Sequence, residues 1–299
     1  MAHVSVLLKE TIDFLDVRPG QVFLDGTVGN GGHAAAIIPL LGTKGTYIGI
    51  DQDATSIASA QEALAEKTPL TLLLRKENFR HLDRVLHKDN LHFVDRILLD
   101  LGFNSDQLDL SGRGFSFLRN EPLLMTYNND PEIGDLTAWE IINRWSGEDI
   151  ADTLFTFGEE KFARKIVRAI VAKREEAPIG RTLELVKIIE SAVPVSYRTQ
   201  KIHYATKTFQ ALRIAVNDEL NALSEGLSKG FHALSKNGRI AVISFHSLED
   251  RIVKNFFRGK DKERTGELIT KKVIMSGKEE RTQNPRSRSA KLRVLKKTI

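Results

Sequence analysis

The chain has 299 residues, 41% hydrophobic and 28% charged, with no cysteine. That composition fits a soluble globular protein able to bury one large or two modest cores, and it excludes disulfides and thiolate metal sites. The net charge of +5 is uneven: Arg258–Ile299 holds 14 Lys+Arg against 5 Asp+Glu, which leaves the first 257 residues at −4.

In chain order, Met1–Ser5 shows no basic segment leading into a long apolar stretch, and no later apolar run is long enough to span a bilayer. A cytoplasmic protein without a membrane partner is expected. Val22–Leu24 is a short apolar run ending at Asp25; a glycine cluster follows, then Ala34–Ile38 with helical character. Thr46–Ile50 is β-rich and ends at Asp51, and a helical pattern runs from Ala54 to about Ala65. Leu70–Leu74 and Arg96–Leu99 are further strands, the latter ending at Asp100. Short, fully apolar runs alternating with helices predict a buried parallel sheet.

From about Asp109 to Lys207 the strand signal disappears. Thr137–Arg144, Ile150–Phe155, Glu159–Arg174 and Thr182–Ala192 read as helices, punctuated by Pro178 and Pro194. Ile214–Leu234 then reads as one long amphipathic helix stopped at Asn237-Gly238, and Arg239–Ile243 as a strand. The pattern predicts an α/β domain of residues 1–108 and 208–299, interrupted by a helical domain of residues 109–207.

Three strand ends carry chemistry. Asp25-Gly26-Thr27-Val28-Gly29-Asn30-Gly31-Gly32 lies between a strand and a helix, where glycines permit a tight turn and close approach of the backbone to a ligand. A helix start there offers N–H donors. An ordinary glycine-rich turn has the same look, so the loop alone decides little. Asp51, at the next strand end, can accept both hydroxyls of a ribose. The glycine order departs from the Gly-x-Gly-x-x-Gly of dinucleotide enzymes, and Asp25 offers an acid for a charged amino group, which points to S-adenosylmethionine. Phe79 is placed to pack on an adenine ring or in the core. At the third strand end, Asp100 can orient an exocyclic amine, with Phe103 as a nearby aromatic face; a strand-end Asp is otherwise often a cap.

The full run of motifs resembles the bacterial 16S rRNA cytosine-N4 methyltransferase family, RsmH or MraW. The resemblance is carried by His3–Glu10, Asp25–His33, Leu99–Gly102, Ser105–Asp109, Arg113–Phe117, Gly158–Lys161, Ala205–Ile214, Ile243–Arg251 and Asn284–Ser289. It implies a Rossmann-like class I S-adenosylmethionine-dependent methyltransferase with an inserted all-helical domain. It also implies that Gly31, Gly32, His33, Asp51, Phe79, Asp100 and Gln107 line the cofactor site, that Gly29 belongs to the same loop, and that the product is N4-methylcytidine in the decoding centre of the small ribosomal subunit. The chain departs from the family at Leu124 and Thr126, where an acid and a base are usual. Phe103-Asn104 replaces Val-Ser, and Tyr204 stands where Pro is common.

On the substrate side, Phe103, Asn104, Arg113, His246, Arg286 and Arg288 are the candidates. His246, beside Ser244 and Ser247, lacks the Gly-x-Ser-x-Gly setting of a hydrolase, so it reads as a substrate contact or a structural hydrogen-bonding residue. Arg113 can reach a phosphate. Arg286, Arg288, Lys291 and Arg293 form the best RNA-backbone segment, unless the segment is simply a solvated basic tail. Phe115 and Phe117 suit core packing better than base stacking. Eight scattered histidines without metal spacing give no support for a metal site. A methyltransferase of the same fold acting on another substrate and a non-catalytic assembly factor are the alternatives. Oligomeric state is not legible.

Overall fold

A computed structural model describes residues 5–65, 71–101, 111–128, 131 and 134–299. It divides into two compact units, Met1–Gly102 with Leu220–Ile299, and Phe103–Glu219. The chain begins with α1 (Leu8–Leu15), β1 (Val22–Asp25), α2 (Gly32–Leu41), β2 (Thr46–Asp51), α3 (Ala54–Leu64), β3 (Thr71–Lys76), α4 (Leu82–Lys88) and β4 (Val94–Asp100). The helices α5 (Ala138–Arg144), α6 (Gly147–Gly158), α7 (Ala163–Glu176), α8 (Thr182–Ala192), α9 (Val195–Arg198) and α10 (Thr206–Asn217) follow. Then come α11 (Glu219–Ala233), β5 (Leu234–Ser244), α12 (Ser247–Lys262), β6 (Gly266–Leu268), β7 (Ile274–Met275), α13 (Lys278–Gln283) and β8 (Lys291–Lys297). No described helix is long and apolar enough to cross a membrane.

In the first unit the strands form one sheet in the order β3-β2-β1-β4-β5-β8-β6, with β7 also on β8. The strands β1 to β5 pair in parallel, and β8 runs antiparallel to β5 and β6. Alternate residues supply a core on each face. Leu24, Ile48, Ile97, Leu99, Ile240 and Val242 pack with α4, α11 and α12, whereas Phe23, Tyr47, Leu98, Ala241 and Ile243 pack with α1, α2 and α3. Burial on both faces explains why these strands read as continuous apolar runs rather than alternating ones. The strand order reverses between β1 and β4, and in such sheets ligands bind at the carboxyl ends of the strands on either side of that reversal. Asp25 and Asp100 end those strands, and Asp51 ends the neighbouring β2.

The basic C-terminus is not a tail. Leu292, Val294 and Leu295 are fully buried in β8, and on the same strand Arg293 Nε and Lys291 Nζ donate to the Asp250 carboxylate at 2.7 and 3.3 Å. This removes Lys291 and Arg293 from the phosphate-binding segment expected of them. Burial alone would raise the Asp250 pKa, but the Arg293 hydrogen bond and the two cations hold it below the usual carboxylate value. Asp250→Ala strands two partly buried cations and is expected to cost about 1–2 kcal/mol, read as a lower urea midpoint with an unchanged slope.

The second unit is helical around its own core, which includes Ile141, Ile166, Ile170, Leu185, Ile189 and Leu212. Thr137 and Ser146 cap α5 and α6, accepting from the N–H groups of Glu140 and Asp149. The long helix expected over Ile214–Leu234 is two helices, α10 and α11, broken at Asp218, whose φ is 49°. Asn217 accounts for the break: its amide donates to the carbonyls of Met125 and Arg213 and its oxygen accepts from the N–H of Tyr127. A paired Arg213–Glu219 contact at 2.7 and 2.8 Å bridges the corner. Likewise α11 ends at Ala233 rather than at Asn237-Gly238, because β5 already begins at Leu234.

Candidate active site

The loop after β1 is shaped by positions that exclude side chains. A Cβ on Gly26 would stand 2.5 Å from Leu99 Cδ2 and 3.0 Å from Phe79 Cβ. Gly29 and Gly31 adopt φ of 51° and 83°, the left-handed region that glycine occupies without strain. The loop is tied to β2 twice: Val28 N–H donates to the Ile50 carbonyl at 2.9 Å, and Gly29 N–H to Asp51 Oδ2 at 3.0 Å. Gly32 then opens α2, which has no side-chain cap.

Asp51 accepts a second N–H, from Asp53, at 2.9 Å on Oδ1. Burial pushes its pKa up to about 6, although both backbone hydrogen bonds favour the carboxylate. Each oxygen retains a lone pair, so the group can still accept from two hydroxyls. Asp53 is spent locally, capping α3 through the N–H of Thr55.

Asp25 is 1% exposed. Its Oδ2 accepts from the Tyr47 hydroxyl at 2.7 Å, and its Oδ1 from the Thr27 N–H at 3.0 Å. Burial raises the pKa of Asp25 and pushes that of Tyr47 well up. Asp25 therefore braces the loop from beneath instead of meeting a ligand's amino group, as its position in sequence suggested. Thr27 extends the brace: its hydroxyl donates to Asp25 Oδ1 at 3.4 Å and accepts from the Asp100 N–H at 2.7 Å, locking the ends of β1 and β4 together. Sequence reasoning passed over Thr27 and Tyr47. The signal for Tyr47 was a tyrosine on a strand buried on both faces, where its hydroxyl needs a partner.

Phe79 is 8% exposed and sits in the core, close enough to α11 that a Cβ on Gly226 would lie 2.5 Å from its Cδ2. The same side chain lies against Gly26 of the glycine loop. Asp100 ends β4 with its side chain 21% exposed, and His33 Nδ1 lies 3.5 Å from its Oδ2. The loop glycines, His33, Asp51 and Asp100 thus gather at one edge of the sheet.

The substrate-side candidates scatter. His246 caps α12: its Nδ1 accepts from the Glu249 N–H, while Glu249 Oε2 accepts from the N–H groups of Phe245 and His246. This is a capping box with histidine as the cap, so the structural reading of His246 is the one realised. Arg113, in the second unit, is 7% exposed and donates to the carbonyls of Thr126 and Tyr127. That burial corrects its expected phosphate contact, because the guanidinium is occupied in holding the loop that contains the divergent Leu124 and Thr126. Phe115 is in the helical core and Phe117 stacks on His203 at 4.6 Å. Arg286 and Arg288 stand exposed on the turn Pro285–Ser289. Phe103, Asn104 and Gln107 lie outside the described residues.

The model of the MraW methylase family matches residues 1–298. The chain belongs to the MraW methylase family. Relatives named ribosomal RNA small subunit methyltransferase H include one from Clostridium botulinum (strain Kyoto / Type A2), 43% identical over 99% of this chain and 98% of its own length. One from Heliobacterium mobile is 44% identical with the same coverage. Among solved structures, an rRNA methylase from Streptococcus thermophilus covers 100% of both chains at 11% identity and a TM-score of 0.48. The MraW fold seen here is the Rossmann-like α/β class: a parallel sheet reversing between β1 and β4, with a helical unit entered after β4.

Proposed function

We propose that this chain transfers the methyl group of S-adenosylmethionine to the N4 amine of a cytidine in 16S rRNA of the small ribosomal subunit, acting in the cytoplasm. The observation that carries the reading is the Asp100 carboxylate, partly exposed at the strand reversal and backed by His33, on the edge shared with Asp51 and the glycine loop.

The residues present fit the cofactor. Asp51 has lone pairs for a ribose diol, and the side-chain-free backbone at Gly29 and Gly31 permits close approach. When bound, S-adenosylmethionine supplies a methyl group on a sulfonium that is already an activated leaving group. What the protein adds is position. A cytosine amine is a weak nucleophile because its lone pair is delocalised into the ring. Accepting one of its hydrogens on Asp100 concentrates that lone pair on nitrogen and aims it. Residues 103–219 are proposed as the substrate-recognition unit, and Arg286 and Arg288 as contacts to the RNA backbone.

The deciding experiment is a labelled-methyl assay on small subunits lacking the modification, followed by nucleoside mass spectrometry. Label in N4-methylcytidine is expected; label in another nucleoside, or only in DNA, rejects the proposed target. Replacing both Arg286 and Arg288 with alanine should lower affinity for subunits and reduce the slope of log K against log salt by about 1–2, with turnover at saturation retained. An unchanged slope would remove both residues from the interface.

A further inference from the structure

His33 is the second residue of α2, and both of its ring nitrogens face oxygen atoms. Nε2 lies 3.2 Å from the carbonyl oxygen of Val6, and Nδ1 lies 3.5 Å from Asp100 Oδ2. A carbonyl can only accept, so Nε2 carries a hydrogen. A neutral imidazole has one N–H, which leaves a bare lone pair on Nδ1 facing a carboxylate oxygen. Two acceptors facing one another define a place for one proton. The 3.5 Å gap is long for a hydrogen bond, as such pairs often are before substrate arrives.

Among the described residues, the charged and titratable groups that face the ring are Asp25 from β1 and Asp100 from β4, with Tyr47 of β2 reaching it through Asp25. Burial lowers the His33 pKa, opposed by the Asp25 charge and the Val6 hydrogen bond, and so favours the neutral ring at pH 7.

We propose that His33 Nδ1 is the final acceptor, through Asp100, of the proton that the substrate amine loses during methyl transfer. The proposal rests on the reading of the site given above. As the N4 lone pair forms the new N–C bond, the C–S bond breaks and its pair stays on sulfur. The nitrogen then carries one hydrogen too many. One N–H bond breaks, its electrons return to nitrogen, and the proton passes to the Asp100 carboxylate and on to Nδ1. Asp100 is left ionised beside an imidazolium, ready to release the proton to solvent when product leaves. In water an imidazole holds a proton more firmly than a carboxylate, and an ionised Asp100 beside the ring favours its protonated form. His33 is thus a positioning and proton-storing residue that acts only through Asp100.

His33→Gln separates the two roles of the ring. The Gln amide can still donate to the Val6 carbonyl, but it offers Asp100 no basic atom. In single-turnover assays on unmodified small subunits at saturating S-adenosylmethionine, the variant's rate is expected to fall about 100-fold. The pH dependence of that rate should change with loss of the ring, and the cofactor Kd, measured alongside, separates a binding loss from the loss of the relay. An active wild-type protein whose His33→Gln form keeps the same rate and pH profile, or changes only in Kd, overturns the relay and leaves the functional reading standing. A wild-type protein that methylates no subunit at any pH overturns the functional reading itself. Nitrogen NMR of 15N-histidine-labelled wild-type protein alone gives a readout independent of turnover and of the variant's folding. His33 should be neutral at pH 7 with its hydrogen on Nε2; a hydrogen on Nδ1 at that pH overturns the proposal.

Discussion

Asp100→Ala is expected to retain S-adenosylmethionine binding in part and to lose about 10³-fold in kcat on unmodified small subunits. The expectation follows from how Asp100 is held. Its backbone N–H is held by the Thr27 hydroxyl, a contact that truncation of the side chain leaves in place. What disappears is the group proposed to orient the amine and take its proton. Asp100→Asn keeps the shape and an acceptor oxygen but loses the charge, and should recover orientation only in part. Calorimetry for the cofactor, run beside single-turnover methylation, checks the split. Normal turnover by the alanine variant would refute the role.

Asp51→Ala should weaken S-adenosylmethionine binding by about 10–100-fold, the equivalent of losing hydrogen bonds to a charged acceptor. The same truncation orphans the N–H groups of Gly29 and Asp53 and loosens the glycine loop. A pH dependence follows from the Asp51 pKa of about 6. The ionised group accepts from both hydroxyls, so cofactor affinity should be full above about pH 7 and decline as pH falls through 6. Stability of the ligand-free protein runs the other way. The unfolded carboxyl ionises near 3.9 and the folded one near 6, so the folded state holds more protons between those values. Asp51 therefore withdraws stability as pH rises through that window, the cost of keeping a carboxylate half-buried for a ligand. Calorimetry at pH 5 and 8, with urea titrations at the same values, checks both signs. Affinity independent of pH would remove Asp51 from the ribose site.

The strand ends were legible because they depend on local chemistry. An apolar run buried on both faces, closed by an aspartate, has the same meaning wherever it stands, and Asp25, Asp51 and Asp100 were found this way. The glycine loop was legible for a similar reason, since a left-handed backbone selects its residue. The break at Asp218 was not. Both α10 and α11 are amphipathic, and the interruption comes from Asn217 bonding across to Met125 and Tyr127, some ninety residues away. Arg113 was misjudged for a related reason. Its side chain carries the right chemistry for RNA, yet it is used within the fold by the carbonyls of its own loop, and of the two readings of His246 the fold shows the helix cap.

The sequence by itself determined the membership of the family, the α/β class and the three carboxylates at the strand ends, because each rests on residue type and short-range order. Only the tertiary structure decided how those carboxylates are used. Asp25 is sealed beneath the loop by Tyr47 and Thr27, Asp51 is half-buried with spare lone pairs, and Asp100 is left partly open against the neutral face of His33. The physical reason is that burial and hydrogen-bond partners set the charge state and reach of a carboxylate, and both come from strands and helices distant in sequence. The packing beneath and beside the glycine loop determines which of its neighbouring aspartates is sealed and which stays partly open.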